Sequence, residues 1–167
     1  MVHFIHLMPL CILDNMPKQP MSISDEDYKK VIEAITGVKD DGKEIRSIFE
    51  SYYEDQVDID WEVDAAVDAF SIFSSRWTVE ILATLYIAGD RRFNELRKLL
   101  RGISSRTLSD KLTKCVEMGL VDRIVETTSP VKVIYQLTEH GRDSGRLLGP
   151  LVAYMKIHQG RVIRHSV

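Results

Sequence analysis

The chain has 167 residues, 44% hydrophobic and 28% charged, with two cysteines and a formal net charge of −3 at pH 7. That length supports one good core plus an appendage. No apolar run approaches the roughly 18–20 residues that span a bilayer, so no membrane association is expected. Cys11 and Cys115 stand too far apart for a CxxC or Cys/His site, which excludes a zinc centre or a disulfide framework and fits a reducing cytoplasm.

The net charge hides a division. Residues 1–70 carry 6 Lys/Arg against 16 Asp/Glu, and residues 71–167 carry 16 against 9, giving −10 and +7. A basic half behind an acidic one points to a polyanion as partner for the basic half.

Residues 1–21 hold three of the five prolines and no helical period, so they are expected to be a flexible tail. The opening "MVHFIHLMPLCILDNMPKQP" has no basic leader and no small-x-small cleavage site, so it does not read as a signal peptide. Residues 22–60 read as an acidic helical extension. Ser24 caps "SDEDYKKVIEAITG", with Gly37 as its stop, and "DGKEIRSIFESYYED" repeats the plan with Ile45, Ile48, Phe49, Tyr52 and Tyr53 on one side.

Residues 61–167 form the expected main domain. "DAAVDAFSIF" and "RWTVEILATLYIAG" are two helical runs separated at Ser74–Ser75, and Trp77 falls on the apolar face of the second. "RRFNELRKLLRG" is a short helix with Phe93, Leu96, Leu99 and Leu100 inward and Arg97, Lys98 and Arg101 outward. In "GISSRTLSDKLTKCVEMGL", Ser104 is the N-cap, Leu108, Leu112, Cys115 and Val116 line one face, and Gly119 ends the helix. "LVDRIVETT" and "VKVIYQLT" are β-branched, roughly alternating runs that read as a hairpin with Ser129–Pro130 at its tip. Thr138 caps a last helix running to about His158, and Pro150 inside it predicts a kink or break.

The expected fold is therefore mainly α with a small β-hairpin: a winged helix-turn-helix with flanking N- and C-terminal helices. The tight turn at Gly102 joins the second helix of the motif to the third. With Leu108 and Leu112 inward, about 100° per residue places Arg106, Asp110 and Thr113 opposite them; Thr107 and Lys114 flank that arc on one side and Ser109 on the other. Arg reads guanine N7 and O6, Ser and Thr suit phosphates or either base, and Asp110 can accept from cytosine N4 or orient Arg106 or Lys114. Of the basic groups around the turn, Arg92, Arg97 and Arg101 are the candidates for phosphates, beside Arg91 and Lys98. Arg123 and Lys132 are the candidate backbone contacts in the wing. The competing reading of the polar face is a solvated surface of a bundle helix.

"RWTVEILATLYIAGDRRFNELRKLLRGISSRTLSDKLTKCVEMGLVDRIV" followed by "PVKVIYQLTEHGR" resembles HxlR-type winged helix-turn-helix transcriptional regulators over about residues 62–158. The resemblance implies a homodimer joined by N- and C-terminal helices, two recognition helices in successive major grooves of double-stranded DNA, and promoter binding. On that analogy Arg106, Ser109, Asp110 and Thr113 carry recognition, with Ser104 and Ser105 near the backbone. Many members carry a sensing cysteine about 13 residues before the tryptophan; Asp64 stands there in this chain, which excludes thiol sensing at that position. Cys115 falls on the inward face and reads as a small core residue.

The function expected is a dimeric, sequence-specific regulator binding double-stranded DNA, with no cofactor and with a small-molecule effector left open. The alternative is a winged-helix protein–protein module in a transcription complex. An enzyme is disfavoured, since His3, His6, His140, His158 and His165 lie in tails or on helical surface with no nucleophile–base pairing.

Overall fold

A computed structural model describes residues 19–53, 57–127 and 129–165. The expected tail lies outside the described residues, except for its last three. The elements run β1 (Met21–Ile23), α1 (Asp25–Glu50), α2 (Ile59–Ser71), α3 (Arg76–Ala88), β2 (Arg91–Arg92), α4 (Phe93–Leu99), α5 (Ser105–Glu117), β3 (Val121–Glu126), β4 (Lys132–Leu137), α6 (Glu139–His158) and β5 (Val162–Arg164). They group into two compact units, Asp40–Pro150 and the pair Met1–Lys39 with Leu151–Val167.

In the larger unit, α3, α4 and α5 close around Ile81, Leu96, Leu108, Leu112 and Cys115, with Leu120, Val121 and Leu137 from the strands completing the core. Each fully buried aliphatic side chain contributes about 1.5–3 kcal/mol by leaving water. Trp77 packs partly buried against this core, and the Arg76 guanidinium lies over its ring at 5.0 Å. Leu100, not Leu99, takes the inward place at the end of α4: Leu100 is 3% exposed and Leu99 52%. The backbone leaves the helix at Leu100, with φ −88 and ψ 79, and swings that side chain inward.

The sheet of this unit has three strands in the order β2–β4–β3. β3 and β4 form the expected hairpin, antiparallel with Val121 opposite Leu137 and Glu126 opposite Lys132. Arg91 and Arg92 add a short antiparallel third strand, opposite Tyr135 and Ile134, that the sequence did not announce. Thr138 caps α6 as expected, its Oγ1 accepting from the Gly141 amide at 2.9 Å and donating to the Gly119 carbonyl at 2.6 Å. α6 runs from Glu139 to His158 with Pro150 inside it, so of the kink or break expected there, the break does not occur.

In the smaller unit β1 and β5 pair in parallel, Met21 opposite Val162 and Ile23 opposite Arg164. Met21, assigned to the tail from sequence, is thus the first residue of a strand. The Arg164 guanidinium lies 4.5 Å from the centre of the Tyr28 ring, and Lys39 lies 5.0 Å from that of Tyr154.

The sequence predicts a helix ending at Gly37 and a second one after it; instead α1 is a single helix of 26 residues. Neither Gly37 nor Gly42 has a positive φ. A helical glycine costs about 1 kcal/mol relative to alanine, less than ending one helix and nucleating another. Arg46 pairs with Glu50 at 2.6 Å and Lys43 with Asp40 at 2.8 Å along the same stretch.

Candidate nucleic-acid interface

α5 begins where the sequence places it. Ser104 is extended (φ −75, ψ 152), and its Oγ accepts from the Thr107 amide at 3.0 Å, satisfying one of the open donors of the first turn. Thr107 Oγ1 lies 2.8 Å from Ser104 Oγ, so both hydroxyls are engaged in the cap. Ile103 just before the cap and Leu108 at the fourth helical position are both core residues, the arrangement of a hydrophobic staple. The staple fixes the angle at which the chain enters α5. Gly102 makes the turn itself, with φ +84, a value that side-chain-bearing residues adopt only under strain.

At the other end Gly119 has φ +67. Its amide donates to the Val116 carbonyl at 2.9 Å, and that of Leu120 donates to the Cys115 carbonyl at 3.0 Å. This pair of bonds is the Schellman arrangement, and it delivers the chain directly into β3. Both ends of α5 are therefore fixed by local chemistry.

Between these ends the helix has two faces. Leu108, Leu112 and Cys115 are buried at 0%, 1% and 0% exposure. Ser105, Arg106, Ser109, Asp110, Thr113 and Lys114 are exposed, while Thr107 is half-buried. These polar side chains stand exposed, and the helix N-terminus adds positive partial charge to their side.

The basic residues of α4 sit beside this surface. Arg97 donates from Nη1 to Ser105 Oγ at 2.8 Å, tying α4 to the first residue of α5. Arg92 and Arg101 are exposed, and the Arg92 amide donates to Glu95 Oε2 at 2.7 Å, which closes the first turn of α4. Arg91 is half-buried, its Nη1 donating to the Asp90 carbonyl at 2.6 Å. In the hairpin Arg123 is exposed on β3 and Lys132 half-buried at the start of β4. Sequence reasoning missed the role of Arg91 and Arg92 as a strand, because two residues are too few to show an alternation.

Cys115 is the free cysteine among the described residues, and burial pushes its thiol up to about 11. A thiol so disposed is a packing group, in keeping with its place on the inner face of α5. Cys11 lies outside the described residues. His140 is exposed, and no cluster of metal-binding side chains occurs among the described residues. No helix among them is long and apolar enough to cross a membrane.

A family model described as HxlR-like helix-turn-helix matches residues 72–162, more than half of the chain. An uncharacterised HTH-type transcriptional regulator of Mycobacterium tuberculosis is 40% identical over 83 residues, 50% of this chain and 51% of that relative. The chain thus spans about half the length of the first such relatives. An uncharacterised HTH-type regulator of Bacillus subtilis, YvaP, is 35% identical over 83 residues, 76% of its own length. Among solved structures, the reduced form of the B. subtilis transcriptional regulator YodB superposes with a TM-score of 0.50 at 32% identity, over 53% of this chain and 86% of that one. A regulator assigned to the MarR family from Enterococcus faecalis gives 0.53 at 25% identity, over 65% and 94%.

Proposed function

The chain belongs to the HxlR-like helix-turn-helix family, and from that membership we propose that it is a dimeric, sequence-specific transcriptional regulator of double-stranded DNA. Residues 61–167 form the DNA-binding domain together with its C-terminal pairing helix, and the protein acts in the cytoplasm. The proteins it is similar to are named as transcriptional regulators, not as enzymes.

The observation that carries the reading is the uncovered polar side of α5, held at a fixed angle by the staple and the two caps. A major groove about 12 Å wide admits one α-helix. α5 enters it with Arg106, Ser109, Asp110 and Thr113 toward base edges, and Lys114 and Thr107 at the margin. Ser104, Ser105, Arg92, Arg97 and Arg101 lie toward the phosphates. The β3–β4 wing, with Arg123 and Lys132, reaches the adjacent backbone or minor groove.

Selection of bound fragments from the source genome tests this. The expected outcome is a pseudo-palindrome whose half-sites lie one or two helical turns apart. Binding falls steeply with salt, and Arg106→Ala flattens the preference at one position of each half-site. Equal affinity for random duplex, or none at low salt, would assign the domain to protein–protein contact instead.

A further inference from the structure

The hairpin of β3 and β4 has two chemically different faces. Residues directly opposite one another in an antiparallel pair share a face, and successive residues alternate between faces. One face therefore carries Val121 with Leu137, Arg123 with Tyr135, and Val125 with Val133. By the same alternation Val131, just before β4, continues this row. The other face carries Asp122 with Gln136, Ile124 with Ile134, and Glu126 with Lys132.

The first row begins inside the domain and ends outside it. Val121 and Leu137 are core residues, and Tyr135 packs partly buried against that core. Farther out, Val125 is 47% exposed and Val131 67%. Valines side by side on a strand face leave water only when something else covers them.

Charge placement says what can cover them. Arg123 stands in the row, and Arg91 of β2, opposite Tyr135, joins the same face. Both carboxylates of the wing, Asp122 and Glu126, are on the other face, where Glu126 is opposite Lys132. The aliphatic face is thus cationic and carries no acid. A matching partner is anionic at its rims and apolar between them. The minor groove of duplex DNA has this make-up, with phosphates along its edges and sugar carbons in its walls.

We propose that the aliphatic face of the wing lies in the minor groove beside each half-site and there separates A·T from G·C pairs. The proposal rests on the DNA-binding reading above and adds to it the base composition that the wing selects. At A·T pairs the floor of the groove presents only adenine N3 and thymine O2, whereas a G·C pair adds the guanine N2 amine. That amine stands up from the floor and holds Val125 and Val131 off the sugars. A valine offers it no acceptor, so covering it leaves a donor stripped of water. Runs of A·T pairs also narrow the groove and deepen its negative potential, which favours Arg123.

The test measures affinity of the full-length chain for duplexes carrying the half-sites recovered by genomic selection, flanked by A·T, G·C or inosine·cytosine pairs. Inosine keeps the major-groove N7 and O6 of guanine but lacks the N2 amine. The wild type is expected to bind the A·T and inosine flanks alike and the G·C flanks about tenfold more weakly. Val125→Ser and Val131→Ser are each expected to lose most of that difference while keeping the salt slope. Arg123→Ala is expected to lower the slope by about 1. Ile124→Ser, on the other face, keeps the flank preference. Val125 and Val131 lie outside the buried core, so circular dichroism is expected to be unchanged. Inosine flanks that behave as G·C overturn the proposal, because the reading is then in the major groove. A flank preference that survives both valine substitutions overturns it too. Selectivity for the half-sites with indifference to all three flanks refutes the wing proposal alone, whereas failure to recover any half-site refutes the regulator and the wing together.

Discussion

Arg97 Nη1 and Ser105 Oγ are hydrogen-bonded at 2.8 Å across the turn between α4 and α5. The bond joins the helix that carries basic groups to the one that presents the polar face. It holds the guanidinium at the N-terminal end of α5, where a phosphate would also meet the open amides of the first turn. Arg97→Ala is expected to weaken binding to all duplexes alike and to lower the slope of log affinity against log salt by about 1. Ser105→Ala keeps the charge, so it should leave that slope intact and cost less affinity. Titrations at several salt concentrations decide the matter; an unchanged slope in Arg97→Ala removes it from the phosphate contacts.

The cap at Ser104 separates stability from recognition. Its Oγ accepts from the Thr107 amide at 3.0 Å, and removing such an acceptor costs about 1 kcal/mol. Ser104→Ala should therefore lower the urea midpoint by a corresponding amount. Ser104→Asp keeps an acceptor and places a negative charge at the positive end of α5, which preserves stability. The same charge stands where phosphates are expected, so Ser104→Asp should bind DNA more weakly than Ser104→Ala. The reverse order would place Ser104 away from the DNA.

The contrast between Gly37 and Gly119 shows what the sequence could tell. Both are glycines after an apolar helical series, and both read as stops. Gly119 is one, because its φ is positive and Leu120 and Val121 immediately enter the core. Gly37 is not, because its φ is not positive and the residues after it continue the helical period to Glu50. The termini of α5 were legible because capping chemistry is local: Ser104, Ile103, Leu108 and Gly119 sit within a turn of the bonds they make. Leu99 was misread because the inward place at a helix end depends on the exit dihedrals of Leu100. The β1–β5 and β2–β4 pairings were invisible because each joins short segments far apart in sequence, with no period to announce them. The polar face of α5 was legible as a face, since Leu108 and Leu112 fix its opposite side.

Gly141 is required by close packing at the start of α6. A Cβ at this position would run into the Leu120 carbonyl oxygen and come within 3.2 Å of Leu137 Cδ2. The Leu120 oxygen cannot retreat, because it accepts from the Thr138 amide at 3.1 Å. Alanine would gain up to about 1 kcal/mol of helix propensity over glycine. Overpacking against fixed backbone costs about 1–3 kcal/mol, so Gly141→Ala is expected to be net destabilising in denaturant titration. Gly149 has open space around its Cβ position, and the same substitution there should be neutral or stabilising. Equal effects at the two sites would mean that α6 can shift away from β3.

Cys115 gives a prediction in pH. Its thiol is buried at 0% exposure, and desolvation raises it from the ordinary 9.0 to about 11 in the folded chain. Below pH 9 the thiol is protonated whether the chain is folded or not, and it contributes no pH dependence. Between about 9 and about 11 the unfolded chain loses the proton while the folded chain keeps it. The folded state then binds more protons, and stability falls as pH rises, by up to about 1.4 kcal/mol per unit from this group. Cys115→Ala should remove that part of the alkaline slope, although the shortened side chain lowers stability at neutral pH. Wild-type and variant denaturation midpoints measured from pH 7 to 11 should therefore converge as pH rises. The same burial makes the native thiol slow to react with alkylating reagents at pH 7.5, at a rate that follows opening of the core. Rapid labelling of the folded protein at Cys115 would place it at the surface and overturn its assignment as a packing residue.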